Sequence, residues 1–324
     1  HNMMKIVSLF AGCGGLDLGL ERLGHEIVHA SDFDKDCVDT YNNNFHHAAE
    51  LIDVHDLKGR DLPKYDLLAG GFPCQGFSIA NTYRSKEDER NKLYLQIVRL
   101  LRETNPKFFL LENVSGILSL EKGEVVKQIV KELGQVNKKI SGGYTVKYLK
   151  LNAADYGVPQ NRLRVIFLGI SNRFSEGKIE KMFSHFPPTP THSKEKNLLH
   201  EKHLTLRDAI GNLGKPSKNY KIPNHECNQH KVKINGYIGN RKLDWKKPSP
   251  TIVGRGGGTG GPVIAVHPSL KRRFSVRETA RIQSFPDNFV FHGSLSSQYR
   301  QIGNAVAVGF AEHLGIMLSK IEKV

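Results

Sequence analysis

Short apolar runs alternate with amphipathic segments along the first half of the chain. The runs that have strand length are residues 5–10, 26–30, 65–69, 108–111, 144–151 and 164–170. The segments with apolar residues at helical spacing are residues 16–23, 36–45, 93–101 and 124–133. Strand–helix alternation of this kind predicts an α/β fold with a doubly wound sheet that is mostly parallel, certainly for its early strands.

The pattern changes at the FPPTP segment, residues 186–190. From there to about residue 273 the chain is polar and rich in Lys, His, Asn and Gly. A flexible linker is one interpretation, but the scattered apolar residues are numerous enough for a small core. These residues are Leu206, Ile210, Leu213, Tyr237, Ile238, Leu243, Trp245, Ile252, Val253, Val263 and Ile264. Helical spacing returns over residues 276–282 and 305–321. We therefore predict one domain of residues 3–187 plus 274–324, and a smaller irregular domain of residues 188–273.

The net charge of the chain indicates the kind of partner that it binds. Among 324 residues, Lys and Arg number 47 against 32 Asp and Glu, a net charge of +15. Such an excess favours a polyanion, and the lack of a basic amphipathic helix favours nucleic acid over a membrane. No apolar run in the sequence approaches membrane-spanning length. The four cysteines are scattered, which predicts a reducing compartment. We expect a cytoplasmic protein.

The segment GFPCQGFS, residues 71–78, places Cys74 after a proline and behind a predicted buried strand. Open α/β sheets put their chemistry at the carboxyl ends of strands, so Cys74 is a candidate nucleophile. The alternative is a small buried apolar residue, which most free cysteines are. On this motif alone the two interpretations are evenly matched.

A second motif, FAGCGG at residues 10–15, forms a glycine turn between the first strand and first helix. It lacks the full dinucleotide spacing, since the third position is Asp17. Asp32 and Phe33 follow the second strand, where a carboxylate can bind ribose and a ring can stack on adenine. Asp56 follows a predicted third strand and could accept from an adenine amino group. Each acid alone would be a solvated loop residue; together they favour an adenosine site.

The segment HECNQH, residues 225–230, contains three possible zinc ligands. A fourth is not evident, and the spacing matches no common zinc finger. We expect a polar loop here and no metal.

Taken in order, the motifs resemble those of the DNA cytosine-5 methyltransferases of bacterial restriction–modification systems. The resemblance runs nearly the whole chain and rests on FAGCGG (10–15), DF (32–33), DL (56–57), GFPCQ (71–75), ENV (112–114), QNRLR (160–164), RETARIQSFP (277–286) and QIGNAV (301–306). Two positions depart from the pattern: Ser8 stands where an acid is common, and Asp32 where Glu is common. Neither change disturbs the expected chemistry.

The resemblance implies an S-adenosylmethionine-dependent methyltransferase fold and S-adenosylmethionine as cofactor, with S-adenosylhomocysteine as product. The implied cofactor-binding residues are Phe10, Gly12, Gly14, Gly15, Leu16, Asp32, Phe33, Asp56, Leu57, Pro73, Leu93, Asn304 and Ala305. By this resemblance the smaller domain is a target-recognition domain, in which residues 237–262 would make most of the contacts that read the DNA sequence. The implied DNA-binding residues are Arg84, Arg241, Thr251, Arg255 and Gly257. Thr251 suits a phosphate better than a base.

Four residues are implied to carry the reaction. A thiolate on Cys74 would attack carbon 6 of a flipped cytosine and activate carbon 5. Glu112 would engage ring nitrogen 3, and burial would favour its protonated form. Arg164 would donate to the carbonyl at carbon 2, and Arg162 would orient Glu112 or a phosphate. The polar segment 80–92 is expected to close over DNA as a lid.

Three other functions remain open from the sequence. An RNA methyltransferase of the same fold would share these motifs, although the glycine-rich region after residue 188 favours DNA. A nicotinamide-dependent oxidoreductase would need a dinucleotide loop that the chain lacks, and a non-catalytic DNA-binding module would not need Cys74. The expected partners are duplex DNA and a separately acting restriction endonuclease, with a monomer expected near the bacterial nucleoid.

Overall fold

The computed structural model describes residues 3–72, 89–227, 242–254, 266–269 and 272–324, and gives only the backbone for residues 89–92. Several of the predicted site residues lie outside this described part of the chain. They are Pro73, Cys74, Arg84, Arg241, Arg255 and Gly257. Most of the predicted lid, residues 80–92, also lies outside it, although residues 89–92 begin a helix.

A seven-stranded sheet forms the centre of the fold, with the order β3-β2-β1-β4-β5-β7-β6. The strands are β1 (Lys5–Leu9), β2 (Glu26–Asp32), β3 (Glu50–Leu51), β4 (Leu67–Gly71), β5 (Phe108–Val114), β6 (Tyr144–Asn152) and β7 (Leu163–Ser171). Strands β1 to β5 pair in parallel, and β7 runs antiparallel to both of its neighbours. The predicted mostly parallel, doubly wound sheet is confirmed.

Helices cover both faces of this sheet. Within the described residues they are α1 (Gly15–Arg22), α2 (Lys35–Asn44), α3 (Glu89–Thr104), α4 (Glu124–Gln135), α5 (Lys138–Ser141), α6 (Glu176–Phe183), α7 (Leu206–Ile210), α8 (Val276–Ile282), α9 (Leu295–Asn304) and α10 (Val308–Lys323). A further pair of two-residue strands, β8 (His192–Ser193) and β9 (Glu201–Lys202), lies apart from the sheet. The predicted helix over residues 305–321 is correct only for α10, and α9 was not anticipated.

The alternation of side chains along β1 divides the core into two layers, because successive strand residues point to opposite faces. Ile6 belongs to a buried cluster with α1, α6 and α10, whereas Val7 and Leu9 belong to a second cluster with α3 and α4. The two layers anchor the sheet on both sides. The ends of the strands are thereby held in fixed relative positions, which is what a site built from strand ends requires.

A third, smaller cluster lies in the polar region after residue 188. Its buried members are Leu206, Ile210, Ile252, Phe274 and Ile282, with Leu213, Leu243 and Trp245 packed against them. Of the apolar residues expected there, Tyr237, Ile238, Val263 and Ile264 lie outside the described residues. The cluster includes Ile282 from α8, so this region packs onto a helix of the larger predicted domain. The division into two domains stays a prediction.

By length and composition alone, the C-terminal stretch Leu295–Lys323 could cross a membrane, since it contains an 18-residue segment with a mean hydropathy of 1.3. In the structure the stretch comprises two helices, α9 and α10, and 56% of its apolar window is buried. Phe310, Leu314 and Leu318 of α10 pack into the same core cluster as α1, which explains why that helix is so apolar.

Close packing between α1 and α10 gives a testable prediction. A Cβ atom added at Gly19 would lie 2.4 Å from Cβ of Ala311 and 2.7 Å from the carbonyl oxygen of Val308. Gly19→Ala should therefore destabilise the fold by about 1–3 kcal/mol, measured by denaturant unfolding. Gly177→Ala in the exposed helix α6 is the control, since nothing lies within 4 Å of its added Cβ. The control should be neutral or slightly stabilising. Equal stability of the two variants would contradict this account of the packing.

Candidate active site

The carboxyl ends of β1, β2, β4 and β5 meet at one edge of the sheet, because these strands are parallel neighbours. Directly after β1 the backbone of Phe10 adopts φ 52°, in the left-handed region that non-glycine residues rarely enter. Ala11 then donates its N–H to the carbonyl of Ser31 at 3.0 Å. Strain of this kind tends to occur at functional sites. The first loop is therefore a well-supported candidate for ligand binding.

Two glycines let this loop pack more closely than other residues would. Gly14 has φ 106°, and a Cβ there would lie 2.4 Å from Cε2 of Phe45. A Cβ on Gly15 would lie 2.3 Å from the carbonyl oxygen of Val306, which follows α9. Larger residues would push the loop away from α2 and from the C-terminal segment.

Asp32 fixes the loop from the neighbouring strand. Its Oδ2 accepts from the N–H of Gly12 at 2.9 Å, and its Oδ1 accepts from the N–H of Asp34 at 2.9 Å. Burial raises the pKa of Asp32, and the same backbone hydrogen bonds oppose that rise. Phe33, next to it, has 68% of its surface exposed. An acid held at the loop beside an exposed ring suits a nucleoside.

A cavity of about 200 Å³ lies at this edge of the sheet. It is lined by Phe10, Ser31, Asp32, Phe33, Ile52, Asp53, Val54, His55 and Leu93. Phe10, Asp32, Phe33 and Leu93 were predicted from the sequence as cofactor-binding residues. The other lining residues were not, although Ser31 lies near the end of β2 and residues 52–55 directly follow β3.

Asp56 and Leu57 do not line the cavity, and the structure replaces them with Asp53 and Val54. The reason is that β3 is short and ends at Leu51, so the segment reaches the site earlier than predicted. Leu57 is buried in the core instead, and Arg99 binds its carbonyl oxygen at 2.7 Å. Asp53 accepts from the backbone N–H of His55 at 2.9 Å and contacts the His55 ring, and these bonds lower its pKa.

Three further predicted cofactor residues border the loop and are not among those lining the cavity. Leu16 packs into the core beneath the loop. The side-chain oxygen of Asn304 stands 2.1 Å from where a Cβ on Gly254 would lie. Ala305 offers its backbone carbonyl to Arg162 and Gln283. Of the latter two residues, Ala305 also borders the loop, since its Cβ would lie 3.2 Å from a Cβ on Gly15.

The second part of the site lies at the ends of β4 and β5. Glu112 pairs with Gly71 across these strands, and a Cβ on Gly71 would lie 2.8 Å from its Oε2. The neighbouring Asn113, buried and not predicted as a site residue, donates to the carbonyl of Phe72 at 2.7 Å. Both contacts hold the chain two or three residues before Cys74. The acid and the start of the GFPCQ segment therefore occupy one corner.

Arg164 forms an ion pair with Glu112, with 2.9 Å between Nε and Oε1. Both side chains are mostly buried, with exposed fractions of 14% and 18%. A pair this sheltered is screened less by solvent than a surface ion pair. Arg164 thus makes the contact with Glu112 that was predicted from the sequence for Arg162, and its guanidinium keeps other donors to offer.

Arg162 has different partners from those expected. It is buried, and its guanidinium donates to the carbonyl oxygens of Ile252 at 2.6 Å, Gly303 at 2.8 Å and Ala305 at 3.1 Å. Because these bonds and one to Gln160 occupy it, its guanidinium has no hydrogen bond to Glu112. Burial lowers the pKa of Arg162. It is a positioning residue.

Thr251 also differs from its predicted role. Its hydroxyl donates to the carbonyl of Asn161 at 2.7 Å, so its proton is already used. A phosphate oxygen needs a donor, and Thr251 would have to break this bond to provide one.

Among the described residues of the HECNQH segment, His225 has both ring nitrogens within 2.7 Å of Ser275 Oγ and the Gly214 carbonyl.

Helix α8 carries the motif RETARIQSFP. Arg277 is fully buried and donates to the carbonyls of Pro223, Pro286 and Phe289. Glu278 caps the helix start through the N–H of Ser275 at 2.8 Å and pairs with Arg272 at 2.6 Å. The helix thus ties the described part of the polar region to the sheet domain.

Comparison with known proteins agrees with this geometry. The family model of C-5 cytosine-specific DNA methylases matches residues 4–320. The type II methyltransferase M.FnuDI of Fusobacterium nucleatum is 38% identical over 335 residues, covering 95% of this chain and 92% of its own. The type II methyltransferase M.HhaI of Haemophilus parahaemolyticus is 31% identical, with 96% and 93% covered.

Solved structures show the same fold. A candidate DNA modification methyltransferase of an Escherichia coli prophage superposes with a TM-score of 0.73 at 25% identity, with 99% of each chain covered. The Dnmt2 methyltransferase of S. pombe superposes with a TM-score of 0.65 at 18% identity, with 98% of each covered, and supports the fold alone. With the family model spanning nearly its whole length, this chain belongs to the C-5 cytosine-specific DNA methylases.

Proposed function

We propose that this protein is the modification enzyme of a type II restriction–modification system and methylates carbon 5 of a cytosine within a defined sequence of duplex DNA. The observation that carries the proposal is the corner formed by Glu112, Arg164 and Asn113. It joins an ion-paired acid to the start of the segment containing Cys74. The relatives named type II methyltransferases support the link to restriction–modification.

The cavity residues fit S-adenosylmethionine, the cofactor used by this family. Asp32 offers a carboxylate for ribose hydroxyls, Phe33 offers an exposed ring for adenine, and Asp53 offers an acceptor for its amino group. The strained loop after β1 would receive the methionine part. When bound, this cofactor supplies an electrophilic methyl group on a sulfonium.

The chain's own residues would perform the remaining chemistry. The thiolate of Cys74 adds to carbon 6 of the cytosine, and carbon 5 becomes nucleophilic. Glu112 delivers a proton to ring nitrogen 3 as negative charge develops there, and Arg164 pairs with the resulting carboxylate while donating to the carbonyl at carbon 2. After methylation, loss of the carbon 5 proton and expulsion of Cys74 restore the thiolate and the aromatic ring.

Duplex DNA suits the charge of the chain. Carbon 6 is inaccessible within a stacked duplex, so the cytosine must be flipped into the corner beside Glu112. The net charge of +15 favours phosphate contacts, which position a protein on DNA without selecting sequence. Sequence selection falls to the polar region after residue 188, whose predicted reading residues lie mostly outside the described part of the chain.

Cys74→Ser should abolish methyl transfer and leave DNA binding largely intact, because Cys74 provides a covalent step while affinity comes from phosphate contacts. Transfer of labelled methyl groups and a DNA-binding titration measure the two properties. The matched control is Cys227→Ser, a cysteine in the polar region that should retain activity. Appreciable transfer by the Cys74 variant would contradict the assignment.

The covalent step has its own test. DNA carrying 5-fluorocytosine at the target cannot lose a proton from carbon 5, so the adduct should persist after denaturation. Peptide mapping should find the DNA attached to Cys74. A bond to another residue, or no bond in the presence of cofactor, would refute the mechanism.

Asp53 and Asp56 form a matched pair for the cofactor site. Asp53→Ala should weaken S-adenosylhomocysteine binding roughly five- to a hundredfold, as expected for one lost hydrogen bond of about 1–3 kcal/mol. Asp56→Ala should bind nearly as the unmodified protein does, because Asp56 does not line the cavity. Calorimetric titration measures both. If Asp56→Ala bound more weakly than Asp53→Ala, the account would be wrong and Asp56, as predicted from the sequence, would be the cofactor-binding acid.

A further inference from the structure

A line of polar side chains lies beneath the loop of residues 10–15. Asp17, in the first turn of α1, is wholly buried. One of its carboxylate oxygens accepts from Ser8 Oγ at 2.6 Å, and the other accepts from Tyr41 Oη at 2.5 Å. Ser8 belongs to β1 and Tyr41 to α2. One carboxylate therefore joins the strand before the loop, the helix after it and the helix beside it.

The line continues to the protein surface. Nε2 of His47 lies 2.8 Å from Tyr41 Oη, and Nδ1 of His47 lies 3.0 Å from Oε1 of Glu21. We call the set Ser8, Asp17, Glu21, Tyr41 and His47 the polar brace. Its inner end is inaccessible to water, while His47 and Glu21 are partly exposed, with 27% and 33% of their side chains accessible. Only its outer end can exchange protons readily.

Counting protons fixes the state of His47. Tyr41 has one hydroxyl proton and donates it to Asp17, so Nε2 of His47 must itself donate to the Tyr41 oxygen. Nδ1 faces a carboxylate and must also donate. With Asp17 ionised, this network therefore requires a doubly protonated, positively charged His47 between two acids. Loss of the Nε2 proton would leave Tyr41 one proton for two acceptors, His47 and Asp17.

Electrostatics agree with this count. The hydrogen bond to Glu21 raises the pKa of His47, and Asp17 adds to the rise. Burial raises the pKa of Asp17 to about 6, against the effect of hydrogen bonds from Ser8 and Tyr41. Burial, with smaller effects of Asp32 and Asp17, raises the pKa of Cys13 to about 12, so this thiol stays neutral. The direction of the His47 shift is the one expected for a ring held in its protonated form by neighbouring carboxylates.

The brace also touches the loop directly. Tyr41 stacks on Phe45 with ring centroids 4.1 Å apart. Both rings lie against Gly14, since a Cβ there would be 3.0 Å from Cδ2 of Tyr41 and 2.4 Å from Cε2 of Phe45. A change in how Tyr41 is held would alter the surface on which Gly14 rests. His47 is thus connected to the loop through direct contacts, from His47 to Tyr41 and from Tyr41 to Gly14.

We propose that Asp17, Tyr41 and His47 are positioning residues for the cofactor loop, and that a protonated His47 holds the loop in its binding arrangement. This inference rests on the proposed use of S-adenosylmethionine at the adjoining cavity. As pH rises through the pKa of His47, Tyr41 loses its fixed direction of donation, and affinity for the cofactor falls. A purely structural brace would support the loop equally at every pH.

The first test uses the cofactor-free protein. NMR titration of the histidine rings, with His47 assigned from the spectrum of His47→Gln, should give a pKa above the ordinary value of about 6.5. The value should fall in Tyr41→Phe, which lacks the hydroxyl acceptor, and in Glu21→Gln, which lacks the carboxylate. A wild-type pKa at or below the ordinary value would overturn the proposal.

The second test measures the dissociation constant of S-adenosylhomocysteine by calorimetry from about pH 6.5 to about pH 9. Affinity should fall roughly three- to tenfold over this range, as expected for one hydrogen bond. In His47→Gln the decline should be absent, because the Gln amide donates to Tyr41 at every pH. His46→Gln, an exposed neighbour, is the matched control and should follow the wild type. Comparing the two variants removes any titration of the ligand itself.

The outcomes separate the two proposals. If the wild type binds and His47→Gln follows the same pH profile, the positioning role is wrong. In Glu21→Gln, whose mutated side chain is partly exposed, the midpoint of the decline should move to lower pH, and an unmoved midpoint would also refute the role. If the wild type fails to bind at any pH, the proposed function fails, and the NMR titration alone decides whether the brace is charged.

Discussion

A single buried guanidinium holds together the parts from which the site is built. Arg162 stands before β7 and donates to carbonyls of residue 252 in the polar region and of residues 303 and 305 after α9. A buried arginine is costly to desolvate unless its donors are satisfied, and here four hydrogen bonds from the guanidinium, to Gln160 and to the three carbonyls, do so. Since Arg164 follows two residues later along β7, the same anchor sets the arginine that pairs with Glu112.

The cavity at the ends of β1 and β2 depends on the close approach of the first loop to its neighbours. Gly14 and Gly15 let the first loop contact aromatic rings of α2 on one side and the backbone of residue 306 on the other. Asp32 adds a hydrogen bond to Gly12 from the adjacent strand. The catalytic corner lies two strands further along the same sheet edge. One rigid sheet therefore fixes the relative positions of the cavity and the corner.

Sequence patterns predicted the features that depend on residues close together in the chain. Strand-length apolar runs located β1, β2, β4, β5, β6 and β7, and the glycine turn and Glu112 stand where expected. The third strand was not located because it has only two residues, Glu50 and Leu51, and no apolar run marks it. For that reason Asp56 was chosen from the sequence as the acid for adenine, whereas the acid that lines the cavity after β3 is Asp53. Helix α9 was missed although Leu295, Tyr299 and Ile302 stand at helical spacing, since its other buried positions include the polar Ser297 and Gln301.

Partners distant in sequence were beyond reach of any local pattern. Arg162 binds carbonyls 90 and 141 positions away, so its buried role could not be distinguished from a catalytic one. The pairing of His47 with Glu21 depends likewise on how α1 and α2 pack. Ser8 and Asp17 are a clearer case: the acid absent from position 8 is supplied nine residues later, and Ser8 becomes its donor.

The central claim is that the chain methylates carbon 5 of cytosine at one sequence in duplex DNA. Bisulfite sequencing of plasmid and chromosome from a bacterial host without its own cytosine methylation, expressing this protein, tests it most directly. The account predicts nearly complete protection of one cytosine in a single short sequence context, and none when Cys74→Ser is expressed instead. Unprotected DNA from cells that contain soluble wild-type protein, or protection confined to RNA, would contradict it.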